Sequence, residues 1–263
     1  MAKFKAVVFD LDGVVYRGKS PIPGVPQEIA RLQKKIEVLF FTNNATKSRD
    51  DYVRHLADFG IRANRAEIMT SSFGCAHYIA EKYGKGRKVF VVGEQGLVSE
   101  LRDSAGAEII ESVGADVVAC GLYRGINYRK LDLAVRNLAA GAKFVLANND
   151  PTYPTENGFS PGSGAIAAAI SYAASRKPDV VIGKPSTYLL DKLLEENGLK
   201  PNEAAVVGDR LDIDIRMANK AGMASVLVLS GVATESDAKS AQASDRPKFV
   251  VKSAAEAGKA LGI

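Results

Sequence analysis

The sequence predicts an α/β protein built on doubly wound, mostly parallel β-sheets. Along its 263 residues, short apolar runs alternate with amphipathic segments of helical period. Most of the short runs are apolar throughout, which is typical of parallel strands that are covered on both faces. Regular alternation of strand and helix is the pattern of folds whose sheets are mostly parallel.

The predicted strands are short runs rich in Val, Ile, Leu and Phe. Each is bounded by Gly, Pro or charged residues, which favours a strand over a buried helix. In chain order, they are AVVF (6–9), EVLFF (37–41), KVFVV (88–92), DVVAC (116–120), KFVLA (143–147), DVVIG (179–183), AAVVG (204–208), SVLVL (225–229) and KFVV (248–251).

Two segments between strands illustrate the predicted helices. Residues 47–60 and 185–198 each place their apolar side chains on one helical face, and each ends at a glycine that suits a helix C-terminus. The apolar faces consist of Tyr52, Val53, Leu56 and Phe59 in the first helix, and of Leu189, Leu190, Leu193 and Leu194 in the second.

The predicted strands are too many for one ordinary sheet, so a second domain is expected. Breaks of small and basic residues occur at GKGR (84–87) and at ASRKP (174–178). We therefore predict a core formed by residues 1–85 and 177–263, with an inserted α/β domain at residues 86–176.

Composition limits the partners and the compartment. The formal charge of +5 would suit an anionic small molecule, but no basic run indicates nucleic-acid binding. No apolar run approaches the roughly 18 residues of a membrane span, and the chain enters a strand without a visible signal peptide. Cys75 and Cys120 lie alone in apolar surroundings, so we expect reduced thiols in a cytoplasmic protein.

Polar side chains follow four of the predicted strands, at the point where each strand ends. In an open parallel sheet, the carboxyl ends of the strands form the edge at which ligands bind. We therefore expect one site that is rich in oxygen ligands and contains one ammonium. Its candidates are Asp10 and Asp12, then Thr42, Asn43 and Asn44, then Lys184, and finally Asp209, Asp212 and Asp214.

This set of residue types favours phosphoryl transfer assisted by Mg²⁺, a cation that takes oxygen ligands. A phosphate monoester repels a carboxylate unless positive charge offsets the repulsion. Asp10 is the candidate nucleophile, forming an aspartyl phosphate. Asp12 is the candidate acid and base, a role that needs a raised pKa. Thr42 would hold the phosphoryl oxygens, and Lys184 would balance their charge.

The motifs DLDGV (10–14), FFTNN (40–44), GKP (183–185) and GDRLDID (208–214) together resemble the haloacid dehalogenase (HAD) superfamily of phosphatases. Their order and spacing are similar to the branch with a large α/β cap between the second and third motifs. That branch includes the NagD-like, p-nitrophenyl phosphatase, phosphoglycolate phosphatase and pyridoxal phosphatase groups. The resemblance spans nearly the whole chain, and it implies a Rossmann-like (HAD-like) catalytic core with an inserted cap.

The resemblance also implies roles for individual residues. Asp10 matches the nucleophile and metal ligand, and Asp12 matches the acid/base whose backbone carbonyl also binds Mg²⁺. Asp209 matches a metal-binding aspartate. Asp214 matches a second acid that orients a metal-bound water or the lysine, although the nearby Asp212 leaves this choice open. The remaining matches are Thr42 for the phosphate-binding hydroxyl, Asn43 and Asn44 beside it, and Lys184 for the motif lysine.

Residues 147–170 resemble the cap segment that faces the active site in the same branch. The resemblance implies that Asp150 and Tyr153 bind the substrate, with Tyr153 against the leaving group. A lid of this kind excludes water and admits small phosphorylated metabolites. Because caps in this branch often pair, a homodimer through the cap is expected.

Several alternatives remain open from the sequence. A phosphotransferase or phosphomutase would use the same residues, and a non-catalytic phosphometabolite-binding protein would keep the scaffold. A dehalogenase is disfavoured, because that chemistry needs neither Asp12 nor a metal. Residues 42–44 would also suit the N-cap of the following helix. His55 and His77 have no metal-ligand spacing and are interpreted as structural. The identity of the substrate is not encoded in any of these motifs.

Overall fold

The computed structural model describes residues 4–155 and 158–263. The strands are β1 (Ala6–Asp10), β2 (Tyr16–Arg17), β3 (Ser20–Pro21), β4 (Glu37–Thr42), β5 (Ile68–Thr70), β6 (Lys88–Val92), β7 (Glu108–Ile109), β8 (Val117–Cys120), β9 (Lys143–Leu146), β10 (Thr152–Thr155), β11 (Gly158–Pro161), β12 (Val180–Val181), β13 (Ala204–Gly208), β14 (Ala224–Val228) and β15 (Phe249–Val251). The α-helices are α1 (Val25–Leu32), α2 (Arg49–Asp58), α3 (Ser71–Tyr83), α4 (Gln95–Ala105), α5 (Tyr128–Ala139), α6 (Ser163–Ala174), α7 (Tyr188–Glu196), α8 (Arg216–Lys220), α9 (Glu235–Ser240) and α10 (Ala257–Leu261).

The chain divides into two compact units. Unit 1 comprises the residues up to Thr42, together with residues 52–69 and 184–263, and unit 2 comprises residues 43–51 and 70–183. Each unit has its own sheet and its own apolar core. The predicted α/β class with parallel sheets is therefore confirmed.

The sheet of unit 1 has the strand order β15-β14-β13-β1-β4-β5. β1 is parallel to both of its neighbours, and Val8 lies opposite Val206 on one side and Leu39 on the other. From β1 the chain builds the sheet outward in both directions, which is the doubly wound topology. Ligands of such sheets bind beyond the carboxyl ends of the strands where the order reverses, here beside β1.

Buried apolar side chains explain why β1 is central. All five residues of β1 are buried, and Phe9 packs in a core with Phe40, Ile29 and Val207. Each such side chain stabilises the fold by about 1.5–3 kcal/mol relative to its exposed state. The strand that ends in Asp10 is thus held firmly on both faces.

The sheet of unit 2 has the order β12-β9-β8-β6-β7, and its neighbouring strands are parallel. Helix α3 packs on α4, and α5 packs on α6. β10 and β11 form a separate antiparallel hairpin.

One strand was predicted in the wrong sheet. The prediction placed residues 179–183 among the core strands, but β12 pairs with β9 in unit 2, with Val180 opposite Val145. The chain leaves unit 2 only after Gly183. Residues 70–85 also group with unit 2, because α3 packs on α4. The division into a core of residues 1–85 and 177–263 and an inserted domain at residues 86–176 stays a prediction.

The two helices singled out in the sequence are confirmed as α2 and α7. Tyr52 and Leu56 are fully buried, and the four leucines of α7 are at most 6% exposed. Gly60 and Gly198 follow the two helices with positive φ angles of 74° and 60°. Across residues 4–155 and 158–263, no helix combines the length and apolar character needed to cross a bilayer.

Candidate active site

Three predicted site residues lie at the carboxyl edge of the unit 1 sheet. Asp10 ends β1, Thr42 ends β4, and Asp209 directly follows β13. Their exposed fractions are 8%, 3% and 3%, respectively. Because these strands are neighbours in the sheet, the three side chains lie at one edge beside the switch point, as the strand-end pattern predicts.

Asp10, Asp209 and Asp214 form a buried carboxylate cluster. One oxygen of each lies within 4.8 Å of the others. The Lys184 ammonium donates to Asp10 Oδ1 at 2.5 Å and to Asp214 Oδ1 at 2.7 Å. Three carboxylates around one ammonium carry a net charge of −2 when all four groups are ionised, so the cluster needs further positive charge.

The pKa values of these groups are shifted by their burial and by the charges of their neighbours. Burial raises the pKa of Asp10 well above its usual range, and the positive charge of Lys184 opposes that shift. Burial and then the charge of Asp214 raise the pKa of Asp209 to about 6. Burial alone would lower the pKa of Lys184, but the charges of Asp10 and Asp214 raise it.

The donor set fits a hard divalent cation. It offers buried carboxylate oxygens, excess negative charge, and neither thiolate nor imidazole ligands among its members. Oxygen ligands in this number suit Mg²⁺, which keeps several of its waters.

Asp212 and Asp214, between which the sequence left the choice open, lie in different environments. Asp214 is 1% exposed, and its Oδ2 accepts a hydrogen bond from the backbone N–H of Arg210 at 3.1 Å. Gly208 makes room for it, since a Cβ at that position would overlap the Asp214 side chain. Asp212 is exposed and pairs with the Arg210 guanidinium at 3.2 Å. Of this pair, Asp214 is the one with a hydrogen bond from Lys184, at 2.7 Å.

Asp12 lies apart from the carboxylate cluster. Leu11 between the two aspartates is fully buried, whereas the Asp12 side chain is exposed. The Tyr16 hydroxyl donates to Asp12 Oδ2 at 3.3 Å. Asp10 and Asp12 therefore have different environments.

The interpretation of residues 42–44 as a helix N-cap is wrong. Ser48 and Asp51 cap α2 reciprocally: Ser48 N–H donates to Asp51 Oδ2 at 2.8 Å, and Asp51 N–H donates to Ser48 Oγ at 3.2 Å. Asn44 instead closes a local turn, with its Oδ1 accepting from the N–H and the hydroxyl of Thr46 at 2.8 and 2.7 Å.

Unit 2 brings together two other predicted residues. Asn43 Nδ2 donates to Asp150 Oδ2 at 3.2 Å, and the Asn43 carbonyl accepts from Asn148 Nδ2 at 2.6 Å. Tyr153, on β10, accepts a hydrogen bond from Arg124 Nε at 3.2 Å. Arg124 also pairs with Glu94 at 2.9 Å. Arg124 is a single charge in a loop, and no motif in the sequence marks it.

The loop that follows β14 also contacts the site, and no sequence motif predicts it. There the N–H of Val232 donates to Asp209 Oδ2 at 2.8 Å. The signal that could have revealed it is Gly231, which stands just after a strand at the ligand-binding edge.

Comparisons with known proteins identify the family. The profile of haloacid dehalogenase-like hydrolases matches residues 7–106, and a second HAD-hydrolase-like profile matches residues 181–257. The chain is 33% identical to a 4-nitrophenylphosphatase of Schizosaccharomyces pombe, covering 97% of this chain and 93% of that one. It is 36% identical to an acid sugar phosphatase of Staphylococcus epidermidis, covering 91% and 92% of the two chains.

Solved structures give the same result. A p-nitrophenyl phosphatase from Archaeoglobus fulgidus matches with a TM-score of 0.91 and 32% identity, over 98% of this chain and 99% of that one. A glycerol phosphate phosphatase from Mycobacterium tuberculosis, in complex with magnesium, matches with a TM-score of 0.87 and 33% identity, over 98% and 76% of the two chains. The same Mycobacterium protein also has a structure with calcium. The chain therefore belongs to the haloacid dehalogenase-like hydrolases, in the group that contains these phosphatases.

Proposed function

We propose that this enzyme is a Mg²⁺-dependent phosphatase that hydrolyses small phosphomonoesters through an aspartyl-phosphate intermediate. The observation that carries the proposal is the buried cluster of Asp10, Asp209 and Asp214 around Lys184. Such a cluster is costly in a purely structural role, because three carboxylates are desolvated around one ammonium. Relatives named as phosphatases support the same reaction class.

In the first half-reaction, a carboxylate oxygen of Asp10 forms a bond to phosphorus while the bond to the leaving oxygen breaks. Asp12, whose side chain is exposed, gives its proton to that leaving oxygen. The Thr42 hydroxyl donates to a phosphoryl oxygen, and Lys184 balances the charge that gathers there.

In the second half-reaction, Asp12 takes a proton from water as the water attacks phosphorus. The acyl-phosphate bond breaks, inorganic phosphate leaves, and the Asp10 carboxylate is restored. Asp10, Asp209 and the backbone carbonyl of Asp12 would hold Mg²⁺, with Asp214 beside it. When bound, the cation offsets the repulsion between the Asp10 carboxylate and the phosphate dianion.

Removal of divalent cations is expected to lower phosphate release on the order of 100-fold, because charge repulsion at the cluster then goes uncompensated. The measurement is inorganic phosphate released in EDTA, and again after Mg²⁺ is added in excess over EDTA. Full activity in EDTA would contradict the proposed metal dependence.

The substrate class is best tested with a panel of phosphomonoesters ranked by kcat/KM. The panel should include sugar phosphates, glycerol 3-phosphate, phosphoglycolate, pyridoxal phosphate and nucleoside monophosphates. Labelled substrate then separates the alternatives. Free inorganic phosphate supports hydrolysis, label on an acceptor alcohol indicates a transferase or mutase, and binding without turnover indicates a sensor.

Contacts of unit 2 residues with the substrate are part of the proposal. Tyr153 is assigned to the leaving group, and Asp150, Asn43 and Asn44 are assigned to substrate or phosphate binding. The Tyr153 hydroxyl and the Asp150 carboxylate each have a polar neighbour within unit 2, Arg124 and Asn43, which supports fixed orientations for both.

A reducing, cytoplasmic location is proposed from the two buried free thiols, Cys75 and Cys120.

We further propose a homodimer through unit 2. One face of α6 is both apolar and exposed, and its Tyr172 is 91% exposed. An apolar helix face in water is typical of a subunit interface. The residues of this face are Ala165, Ala168, Ala169 and Tyr172.

A glutamate at the centre of that face should break the dimer. Ala168→Glu is expected to weaken self-association by at least about 10-fold, because the new charge would be buried in the interface. Light scattering after size-exclusion chromatography measures the mass. Ala66→Glu, an exposed change in unit 1, is the matched control. A wild-type monomer, or an Ala168→Glu dimer of unchanged affinity, would contradict this interface.

A further inference from the structure

The Asp209 side chain is enclosed by backbone on the side of its Oδ2. A Cβ atom added to Gly13 would lie 2.5 Å from Asp209 Oδ2, and one added to Gly231 would overlap Asp209 Oδ2, Cβ and Cγ. Both positions therefore need glycine, because no larger residue leaves space for the carboxylate in its present place. Gly13 also has a φ of 82°, which favours glycine independently.

The same backbone donates hydrogen bonds to Asp209. Val232 N–H donates to its Oδ2 at 2.8 Å, and Ala233 N–H donates to its carbonyl oxygen at 3.1 Å. The Ser230 hydroxyl donates to the Gly13 carbonyl at 2.8 Å, which ties the two sides of the enclosure together. The Arg17 guanidinium donates to the Ser230 carbonyl.

We propose that Gly13 and residues 230–233 form a carboxylate clamp that presents Asp209 to the cation through one oxygen, Oδ1. Oδ2 accepts a hydrogen bond from the Val232 amide and packs against two glycines, so we assign the ligand role to Oδ1. A carboxylate held with one oxygen toward the site suits Mg²⁺, which demands near-ideal octahedral geometry. Ca²⁺ accepts both one-oxygen and two-oxygen carboxylates, so the clamp also favours the smaller ion.

Gly231 and Gly13 are thus positioning residues, since they act on the cation only through Asp209. This inference rests on the proposed Mg²⁺ site and adds to it the means by which one ligand is fixed. Changes to groups that orient metal ligands typically cost about 10- to 100-fold in metal affinity.

The test is titration calorimetry of the metal-free protein with MgCl₂ and, separately, with CaCl₂. Gly231→Ala is expected to raise the Kd for Mg²⁺ by about 10- to 100-fold, with a smaller rise for Ca²⁺, because the displaced Asp209 can then offer both oxygens. Gly13→Ala should shift the ratio of the two affinities in the same direction.

Gly60→Ala is the matched control in unit 1. Gly60 has a φ of 74° and nothing within 4 Å of an added Cβ, so alanine there costs stability without touching Asp209. Thermal melting of each metal-free variant reports whether it folds. If Gly231→Ala does not fold, the ratio of Mg²⁺ affinity to Ca²⁺ affinity measured for Gly13→Ala tests the clamp instead.

The possible results separate this inference from the proposed function. If the wild-type protein binds no Mg²⁺, the proposed metal site itself is wrong. If the wild-type protein binds Mg²⁺ and folded Gly231→Ala binds it equally well, only the clamp is overturned. Equal loss of Mg²⁺ and Ca²⁺ affinity would overturn the one-oxygen assignment, whereas a selective loss of Mg²⁺ affinity would support it.

Discussion

The Asp10→Asn variant is expected to lose at least about 10³-fold in kcat, with no phospho-enzyme detectable. The change removes the carboxylate nucleophile but keeps nearly the same size and shape. Lys184 retains Asp214 as a partner at 2.7 Å, so the fold should survive. Rapid acid quenching with labelled substrate measures the covalent intermediate, and circular dichroism checks the fold.

Asp212→Asn provides the matched control for this experiment. It is the same substitution in the last motif, on a side chain that is 58% exposed and pairs with Arg210 instead of Lys184. We expect it to keep kcat within a few-fold of the wild type. Normal turnover by Asp10→Asn would exclude the aspartyl-phosphate mechanism.

The Lys184→Met variant should show the largest effect on stability. Its side chain is 3% exposed, and its ammonium bonds both Asp10 and Asp214. Without it, buried carboxylates face each other uncompensated, and breaking a buried pair of this kind costs about 3–5 kcal/mol. Added Mg²⁺ should recover part of that loss, because the cation replaces some of the missing positive charge.

Urea unfolding of the metal-free protein, with and without added Mg²⁺, measures this effect. Lys192→Met is the matched control, since it removes a lysine from an ion pair in which the Glu195 side chain is 72% exposed. That variant should lose only about 0–1 kcal/mol. A Lys184→Met protein as stable as the control would mean that the cluster does not depend on the ammonium.

The fold was predictable where the sequence carried long apolar runs. β1, β6 and β13 match the predicted strands to within one residue, because four or five consecutive buried residues leave little ambiguity. β2 and β3 have two residues each, too few to show the alternation of buried and exposed side chains that marks a strand. The sheet to which β12 belongs could not be predicted, because its two residues are equally apolar in either environment.

Within the site, the residues that directly end or follow a strand were predictable. Asp10 and Asp209 could be found because a charge after a buried strand is conspicuous. The bond from Lys184 to Asp214 instead depends on a π-helical turn at Leu211–Ile215, which residue spacing alone does not indicate. The amide of Val232 carries no side-chain signal at all, so only the folded backbone reveals it.

The strand order around β1 has a consequence for how the protein is made. β1 and its partner β13 are separated by roughly 190 residues of chain, which include the whole of residues 70–183. At about 5–20 residues per second, the ribosome needs roughly 10–40 s to supply that partner. Until then, one hydrogen-bonding edge of β1 has no native neighbour and is open to pairing with other chains. Nascent chains stalled before Ala204 should therefore be far more prone to aggregation than released ones.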